Sequence, residues 1–312
     1  MTSARGTIEM TLAMAIAGTT GWMVILSGQD AIAAVFWRCL FGAAAMLIVC
    51  VVGGQLRRDA MTLPQFFLAL AGGVALVMNW VLLFAAYSDA SIGIATVTYH
   101  TQPFMLTALS ALLFAEKITL TKAGWLLLAF VGLLMIVAGG ENSQGVGDHY
   151  LRGILLALGA AFCYAGVAIT ARYLKQVAPQ LLVLIQLTLG ALLLLPLARL
   201  NVSEYQMNTW LVLIALGAVH TGLMSTLLYS AIGKLPGNLV AALSFLYPVI
   251  AVVVDWAVFG HRLGLWQFFG GLAILLAAAA SHFNWTPEKI SLMANAAKTK
   301  RQRGQSQKNR QH

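Results

Sequence analysis

Ten long apolar runs follow one another along the chain, and they limit its fold more than any other feature. The runs lie near residues 8–27, 31–52, 64–86, 91–114, 122–139, 153–174, 180–198, 209–232, 238–259 and 264–284. Helices of about 18 to 24 residues can cross a hydrocarbon layer of roughly 30 Å. Backbone groups in lipid need internal partners, and the runs lack the alternation of barrel strands. The sequence therefore predicts an all-α polytopic membrane protein with ten transmembrane helices.

Charged residues are scarce and unevenly placed. Only 9% of the residues are charged, compared with about a quarter in an average soluble domain. The net charge of +9 does not indicate a nucleic-acid partner, because most Lys and Arg residues fall in the segments that are cytoplasmic if both termini are cytoplasmic. The predicted outer loops hold only Arg152, Arg199 and Arg262. This asymmetry predicts a multi-pass protein of the cell inner membrane, embedded in the lipid bilayer, with both termini cytoplasmic.

A proline-headed apolar helix occurs once in each half of the chain. Pro103 begins a run that ends at Glu116-Lys117, and Pro248 begins one that ends at His261-Arg262, with the same spacing. Each half holds five spans, an odd number, so the second half enters the membrane upside down. We expect two inverted five-helix repeats, residues 1–139 and 151–284, followed by a disordered basic cytoplasmic tail over 285–312. Inverted repeats with broken helices are typical of secondary transporters, which bind substrate between the repeats.

Three segments carry a resemblance to a known family. They are Phe36-Trp37-Arg38-Cys39-Leu40-Phe41-Gly42-Ala43-Ala44, Ala115-Glu116-Lys117-Ile118-Thr119 and Gly260-His261-Arg262-Leu263-Gly264. Over about residues 8–284 the chain resembles the EamA-type members of the drug/metabolite transporter superfamily. The resemblance implies a ten-helix carrier in which helices one, three, four, six, eight and nine expose a central site alternately to each side. The second copy departs from the pattern, because His261 stands where the family usually has glutamate.

Polar residues on the predicted fourth and ninth helices are the first candidates for a binding site. Polar side chains at membrane depth are costly, and each is a candidate by default. On the fourth helix a polar stripe spans about 100° of arc and contains Thr96, Tyr99, His100, Pro103, Thr107 and Ser110. On the ninth helix Ser244, Tyr247 and Asp255 lie beside Pro248. Two such stripes predict either a central cavity or a hydrogen-bonded helix seam.

Asp255 has two interpretations at this stage. It is either a site of proton coupling or the partner of Arg38, which lies at a similar outer depth in the second span. Each charge is expensive in lipid without a partner. We therefore expect an intramembrane ion pair between the two residues. His100 and His220 are the other groups able to couple transport to protons, because histidine titrates near neutral pH.

Further candidates lie inside other spans. They are Trp22, Asn79, Trp80, Tyr164 and His220. Aromatic faces suit a planar or cationic metabolite, while Asn and His side chains fix its orientation. Together with Tyr99 and Tyr247, the aromatic members suggest a ring-bearing substrate. Ordinary helix packing is the alternative explanation for the same residues.

Other chemistries find little support in the sequence. The three cysteines lie inside spans, and no Cys/His cluster has ligand spacing, so we expect no disulfide, no metal and no cofactor. No Walker motif occurs, and a gradient, by default of protons, is the expected driving force. The two rivals are a membrane-embedded transferase, which an exposed Asp/His pair would favour, and a non-transporting sensor, which the absence of a pocket would favour.

The sequence therefore predicts a secondary transporter of a small metabolite such as an amino acid, vitamin or nucleoside. Export is the habit of the family that the chain resembles. The substrate, the direction of transport, the coupling ion and the formation of a homodimer stay open at this stage, because direction depends on gradients and on differential binding to the two states.

Overall fold

The computed structural model describes residues 2–57, 60–114, 119–140, 149–283 and 285. Within these residues the secondary structure is helical, and no strand occurs. The helices are α1 Thr2–Gly18, α2 Thr20–Leu26, α3 Ala31–Val52, α4 Leu63–Ala90, α5 Ile92–Tyr99, α6 Gln102–Phe114, α7 Leu120–Gly140, α8 Tyr150–Tyr173, α9 Pro179–Leu194, α10 Met207–Gly217, α11 Met224–Ile232, α12 Gly237–Ser244, α13 Leu246–Phe259 and α14 Leu265–His282. A π-helical segment, Ala218–Leu223, joins α10 to α11. Each of the ten predicted spans coincides with one helix or with a broken pair of helices.

In the described part of the chain, seven helical stretches are long and apolar enough to cross a membrane. They are Ala4–Leu26, Ala31–Val52, Leu63–Ala90, Leu120–Gly139, Tyr150–Tyr173, Met207–Ile232 and Ala242–Phe259. Pro179–Leu194 and Leu265–Ala280 are apolar but shorter. The predicted span near 91–114 is divided into α5 and α6. The chain is therefore an all-helical multi-pass membrane protein.

The two prolines explain the break between α5 and α6 and the break between α12 and α13. α5 ends at Tyr99 and α12 ends at Ser244, each four residues before its proline, and each helix has eight residues. A proline inside a helix removes a hydrogen bond to the residue one turn earlier and clashes with that carbonyl. The same perturbation at Pro103 and Pro248 therefore explains two breaks at matching positions.

Helix packing follows a paired pattern. α4 packs along α8, as α1 packs along α11, and α6 packs on α8, as α13 packs on α1. Extensive contacts also join α7 to α14 and α3 to α9. α7 and α14 approach most closely at two glycines, since an added Cβ on Gly132 would lie 2.6 Å from the Gly270 carbonyl oxygen. Gly124 has no such neighbour within 4 Å, so not every glycine of these helices serves packing.

Some predicted features lie outside the described residues. These are Glu116-Lys117-Ile118 of the first motif and the basic tail beyond Trp285.

Glu9 on α1 is buried. Its carboxylate accepts hydrogen bonds from the Lys234 ammonium, with both N–O distances 2.6 Å, and from the Ser230 hydroxyl at 2.9 Å. This ion pair joins α1 to the segment after α11.

Candidate binding site

A cavity of about 420 Å³ lies inside the helix bundle. All six helices that the family resemblance assigned to the central site contribute side chains, through α1/α2, α4, α5/α6, α8, α11 and α12/α13. α3 adds Arg38 and α14 adds Ala278. The wall is mainly apolar and aromatic, with a few polar groups, as in most small-molecule sites.

Eight of the candidate residues named from the sequence line this cavity. They are Arg38, Trp80, Tyr99, His100, Pro103, Tyr164, Ser244 and Tyr247. The rings of Tyr99 and Tyr164 meet edge to face with centroids 5.9 Å apart. The rings of His100 and Tyr247 lie 5.3 Å apart, which places the two proline-associated breaks side by side.

The remaining predicted residues lie outside the cavity wall. Trp22 is half-buried, Thr96 is fully buried within α5, and His220 lies in the π-helical segment. Asn79 is fully buried behind Tyr99; its Nδ2 donates to the Tyr99 hydroxyl at 3.2 Å and to the Ala160 carbonyl at 2.7 Å. Asn79 is therefore placed to orient Tyr99 rather than to contact a ligand.

The polar stripe of the fourth span is less distinct than predicted. Every residue of α5 is buried, including Thr98, which is not part of the polar stripe described above. Thr101 is buried as well. Because α5 packs against α4, α8, α13 and α14, it has no lipid-facing side, and polarity alone does not identify the residues that face the cavity.

Arg38 is held by the π-helical segment. Its Nε donates to the Thr221 hydroxyl at 2.9 Å and its Nη2 to the His220 carbonyl at 3.3 Å. The guanidinium carbon lies 4.0 Å from the centroid of the Trp80 ring and 5.5 Å from that of Phe84. The residue is only 4% exposed. Removing an ion from water costs several kcal/mol, and a cation–π contact in a desolvated site returns about 2 kcal/mol.

The π-helical segment also reaches the break in the first helix. His220 Nε2 lies 3.1 Å from the Thr19 hydroxyl, between α1 and α2, and its Nδ1 lies 3.2 Å from the Ala215 carbonyl. π-Helical insertions are frequent at functional sites. Here the insertion connects Arg38 on α3 with the break between α1 and α2.

The expected ion pair between Asp255 and Arg38 is wrong. Asp255 Oδ1 lies 2.9 Å from His261 Nδ1, and Oδ2 accepts the Gly93 backbone N–H at 2.9 Å. The Asp255 side chain is 3% exposed and that of His261 is 45% exposed. The Asp255 carboxylate thus already has partners just after α13 and at the start of α5. Arg38, on α3, is held instead by the π-helical segment.

His261 was missed as a partner because it lies beyond the helix. Gly260 adopts a left-handed conformation, with φ of 69°, and ends α13. This turn brings His261 back beside Asp255. A glycine after the last apolar residue is a known signal for such a helix end, so the sequence did contain a hint of this geometry.

Several cavity residues were not singled out from the sequence. Phe84 and Tyr87 follow Trp80 at intervals of four and seven residues, the spacing of one helix face. Gln102 and Phe245 lie at the two breaks. Within the described part of the chain, no three His, Cys, Asp or Glu side chains form a metal-binding group.

A bundle of apolar helices with an aromatic-lined cavity defines a multi-pass membrane protein. The chain belongs to the EamA-like transporter family, whose pattern matches residues 5–138 and again residues 151–281. The resemblance inferred from the motifs is thereby confirmed.

Individual relatives support the same assignment. The chain is 26% identical over 288 residues to the uncharacterized transporter YxxF of Bacillus subtilis (strain 168), covering 90% of this chain and 92% of the relative. It is 26% identical over 196 residues to the "Probable amino-acid metabolite efflux pump" of Salmonella typhimurium, covering 59% of this chain and 64% of the relative. A crystal structure at 18% identity superposes with a TM-score of 0.61, covering 89% of this chain and 96% of that one. That likeness supports the fold alone.

Proposed function

We propose that the chain is a secondary transporter that moves a small metabolite across the bacterial inner membrane by alternating access. The observation that carries this proposal is the cavity of about 420 Å³ between the two proline-broken helices. A helix broken at membrane depth frees backbone groups for a ligand and forms a joint about which the two parts can move. A non-transporting sensor, whose polar stripes would form hydrogen-bonded helix seams, would not need such a cavity.

Two inverted repeats and ten membrane crossings are part of the proposal. The family pattern matches each half once. The eight-residue helices α5 and α12 end at equivalent distances from their prolines. The packing of the two halves also corresponds. The α4–α8 contact has the α11–α1 contact as its counterpart, and the α6–α8 contact has the α13–α1 contact. An approximate two-fold axis in the membrane plane would produce this pairing, with both termini cytoplasmic.

The substrate is a small metabolite with an aromatic or otherwise apolar body. Trp80, Tyr99, Tyr164 and Tyr247 offer ring faces and hydroxyl groups in one cavity. The name of the Salmonella typhimurium relative favours an amino-acid metabolite and favours export. Protons are the proposed coupling ion, with His100 in the cavity wall as the candidate carrier because histidine exchanges protons near neutral pH.

Metabolite profiling tests this function. Cells that overproduce the intact chain are compared with cells that overproduce Tyr99→Ala, and metabolites are quantified in both medium and cytoplasm. We expect one class of compound to leave the cytoplasm only with the intact chain, and to stop leaving when an uncoupler collapses the proton gradient. Tyr173→Ala is the matched control, because Tyr173 is exposed at the end of α8 and does not line the cavity.

Three outcomes would count against the proposal. Export that is equal in Tyr99→Ala and the intact chain would place the site elsewhere. Export that ignores the uncoupler would remove proton coupling. No change in any metabolite, across several growth media, would favour a sensor.

We propose that Asp255 holds α13 against α5, because one of its oxygens accepts the Gly93 backbone N–H and the other is occupied by His261. An acid or base that serves substrate needs a free oxygen within reach of it. Transport that persists in His261→Ala would exclude this pair from any essential chemistry.

A further inference from the structure

Arg38 is the charged group of the cavity. Among the described lining residues, no Asp, Glu or Lys occurs, so the guanidinium gives the cavity a net positive charge. Arginine stays protonated in proteins. The cavity therefore attracts an anion, or the anionic end of a larger molecule.

The guanidinium has hydrogen-bonding capacity to spare. Of its five N–H groups, one on Nε and one on Nη2 are used by Thr221 and His220. Within the described chain no protein atom accepts a hydrogen bond from Nη1, and no carboxylate lies within 4.0 Å of the side chain. The free donors belong to a residue that lines the cavity.

Asp255, the acidic residue expected to pair with Arg38, is engaged elsewhere. Asp255 is paired with His261 and Gly93 and does not line the cavity. The Trp80 ring beneath the guanidinium offsets only part of the desolvation cost. A buried cation without a counter-ion is unfavourable, and an occupant that supplies a negative group would remove this penalty.

We infer that Arg38 binds a carboxylate group of the transported metabolite, an inference that rests on the proposed function. A planar carboxylate matches the fork of a guanidinium. The hydrogen bonds that Arg38 donates to the Thr221 hydroxyl and the His220 carbonyl fix its orientation before the ligand arrives, and the Trp80 ring packs against one face of the guanidinium. The apolar or aromatic body of the substrate then lies against Tyr99 and Tyr164. The substrate class is a small aromatic or apolar monocarboxylate, including the carboxylate end of an amino acid.

Paired probes test this assignment without knowledge of the natural substrate. Binding of phenylacetate and phenylacetamide, and of indole-3-acetate and indole-3-acetamide, is measured by calorimetry with the purified full chain in detergent. The members of each pair have nearly the same shape and differ in charge. We expect each carboxylate to bind about tenfold or more tightly than its amide, because hydrogen bonds to charged groups are the strong ones. In Arg38→Gln the preference should disappear.

Two further variants make the test decisive. Arg152→Gln is the matched control, because Arg152 is an arginine at the start of α8 that pairs with Asp89 and lies outside the cavity wall; it should keep the preference. Arg38→Lys retains the charge but loses the fork, and it should keep a reduced preference. If Arg38→Gln does not fold, the intact chain and Arg38→Lys decide the question.

The outcomes separate this inference from the proposed function. Amides that bind as well as carboxylates, or no binding by any carboxylate of the panel, would overturn the role of Arg38. Uptake of the same labelled probes into proteoliposomes is measured in parallel. Tight, Arg38-dependent binding without any movement would contradict transport and leave the carboxylate site standing, whereas movement without charge discrimination would do the reverse.

Discussion

Asn79 offers the sharpest test of how the cavity is held in shape. The residue is fully buried on α4, and its Nδ2 donates to the Tyr99 hydroxyl of the fourth span and to the Ala160 carbonyl of α8. It is therefore a positioning residue that fixes a ring of the cavity wall. We predict that Asn79→Leu lowers the free energy of unfolding and weakens ligand binding through Tyr99, although Asn79 does not line the cavity.

The magnitude follows from the number of bonds that are lost. Interhelical hydrogen bonds in membrane proteins contribute about 0.6 kcal/mol each on average, and at most about 1.7 kcal/mol. Two lost bonds correspond to about 1.2 kcal/mol. Part of this is offset, because Asn79 Oδ1 is buried without a partner among the described residues, and leucine removes that unpaired acceptor. The net loss is thus about 1 kcal/mol or less.

A double-mutant cycle isolates the bond to Tyr99. Unfolding free energies are measured in detergent for the intact chain, Asn79→Leu, Tyr99→Phe and the double variant. We expect a coupling energy of about 0.6 kcal/mol, which is about a threefold change in an equilibrium constant. Additivity within about 0.3 kcal/mol, together with unchanged ligand binding in Asn79→Leu, would refute the positioning role.

Three other predictions concern the contacts that hold the helices together. Gly270→Leu should lower the unfolding free energy by about 1–3 kcal/mol, because an added Cβ would lie 2.5 Å from the Gly132 carbonyl oxygen; Gly124→Leu, with open space at that position, is the control, and equal melting temperatures would contradict the close approach. Asp255→Leu should lower the free energy of unfolding by about 1–3 kcal/mol, because it leaves the buried Gly93 N–H without its acceptor; chemical denaturation measures this loss, and an unchanged free energy of unfolding would contradict the contact between α13 and α5. Glu9→Lys alone should lower the melting temperature, because the Glu9–Lys234 pair joins α1 to the segment after α11. The double variant with Glu9→Lys and Lys234→Glu should restore it. If it does not, the surroundings of Glu9, and not its pairing, set the stability.

The helices and the outline of the site were predictable from local signals. Apolar length located the helical segments within a few residues, because lipid removes most alternatives to helix. Pro103 and Pro248 predicted the broken helices, and the polar residues near these two prolines include Tyr99 and Tyr247. The missed pair Phe84 and Tyr87 could have been found from their helical spacing to Trp80.

The partners of the charged residues were not predictable, because they depend on packing between distant segments. Arg38 donates a hydrogen bond to Thr221 in a π-helical insertion, whose extra residue shifts the register of the helix and leaves no clear sequence pattern. Asp255 finds His261 through the left-handed turn at Gly260. Depth in the membrane alone therefore suggested the wrong partner for both charges.

Accessibility of Ser244 from the two sides of the membrane tests alternating access most directly. A single cysteine is introduced by Ser244→Cys in a chain whose Cys39, Cys50 and Cys163 are replaced by alanine, and Ala161→Cys, fully buried, serves as the control. The chain is labelled with a membrane-impermeant thiol reagent in inside-out and right-side-out vesicles. The account predicts labelling of Ser244→Cys from both sides, and none of Ala161→Cys. Labelling of Ser244→Cys from one side only, or from neither, would contradict an alternating central cavity.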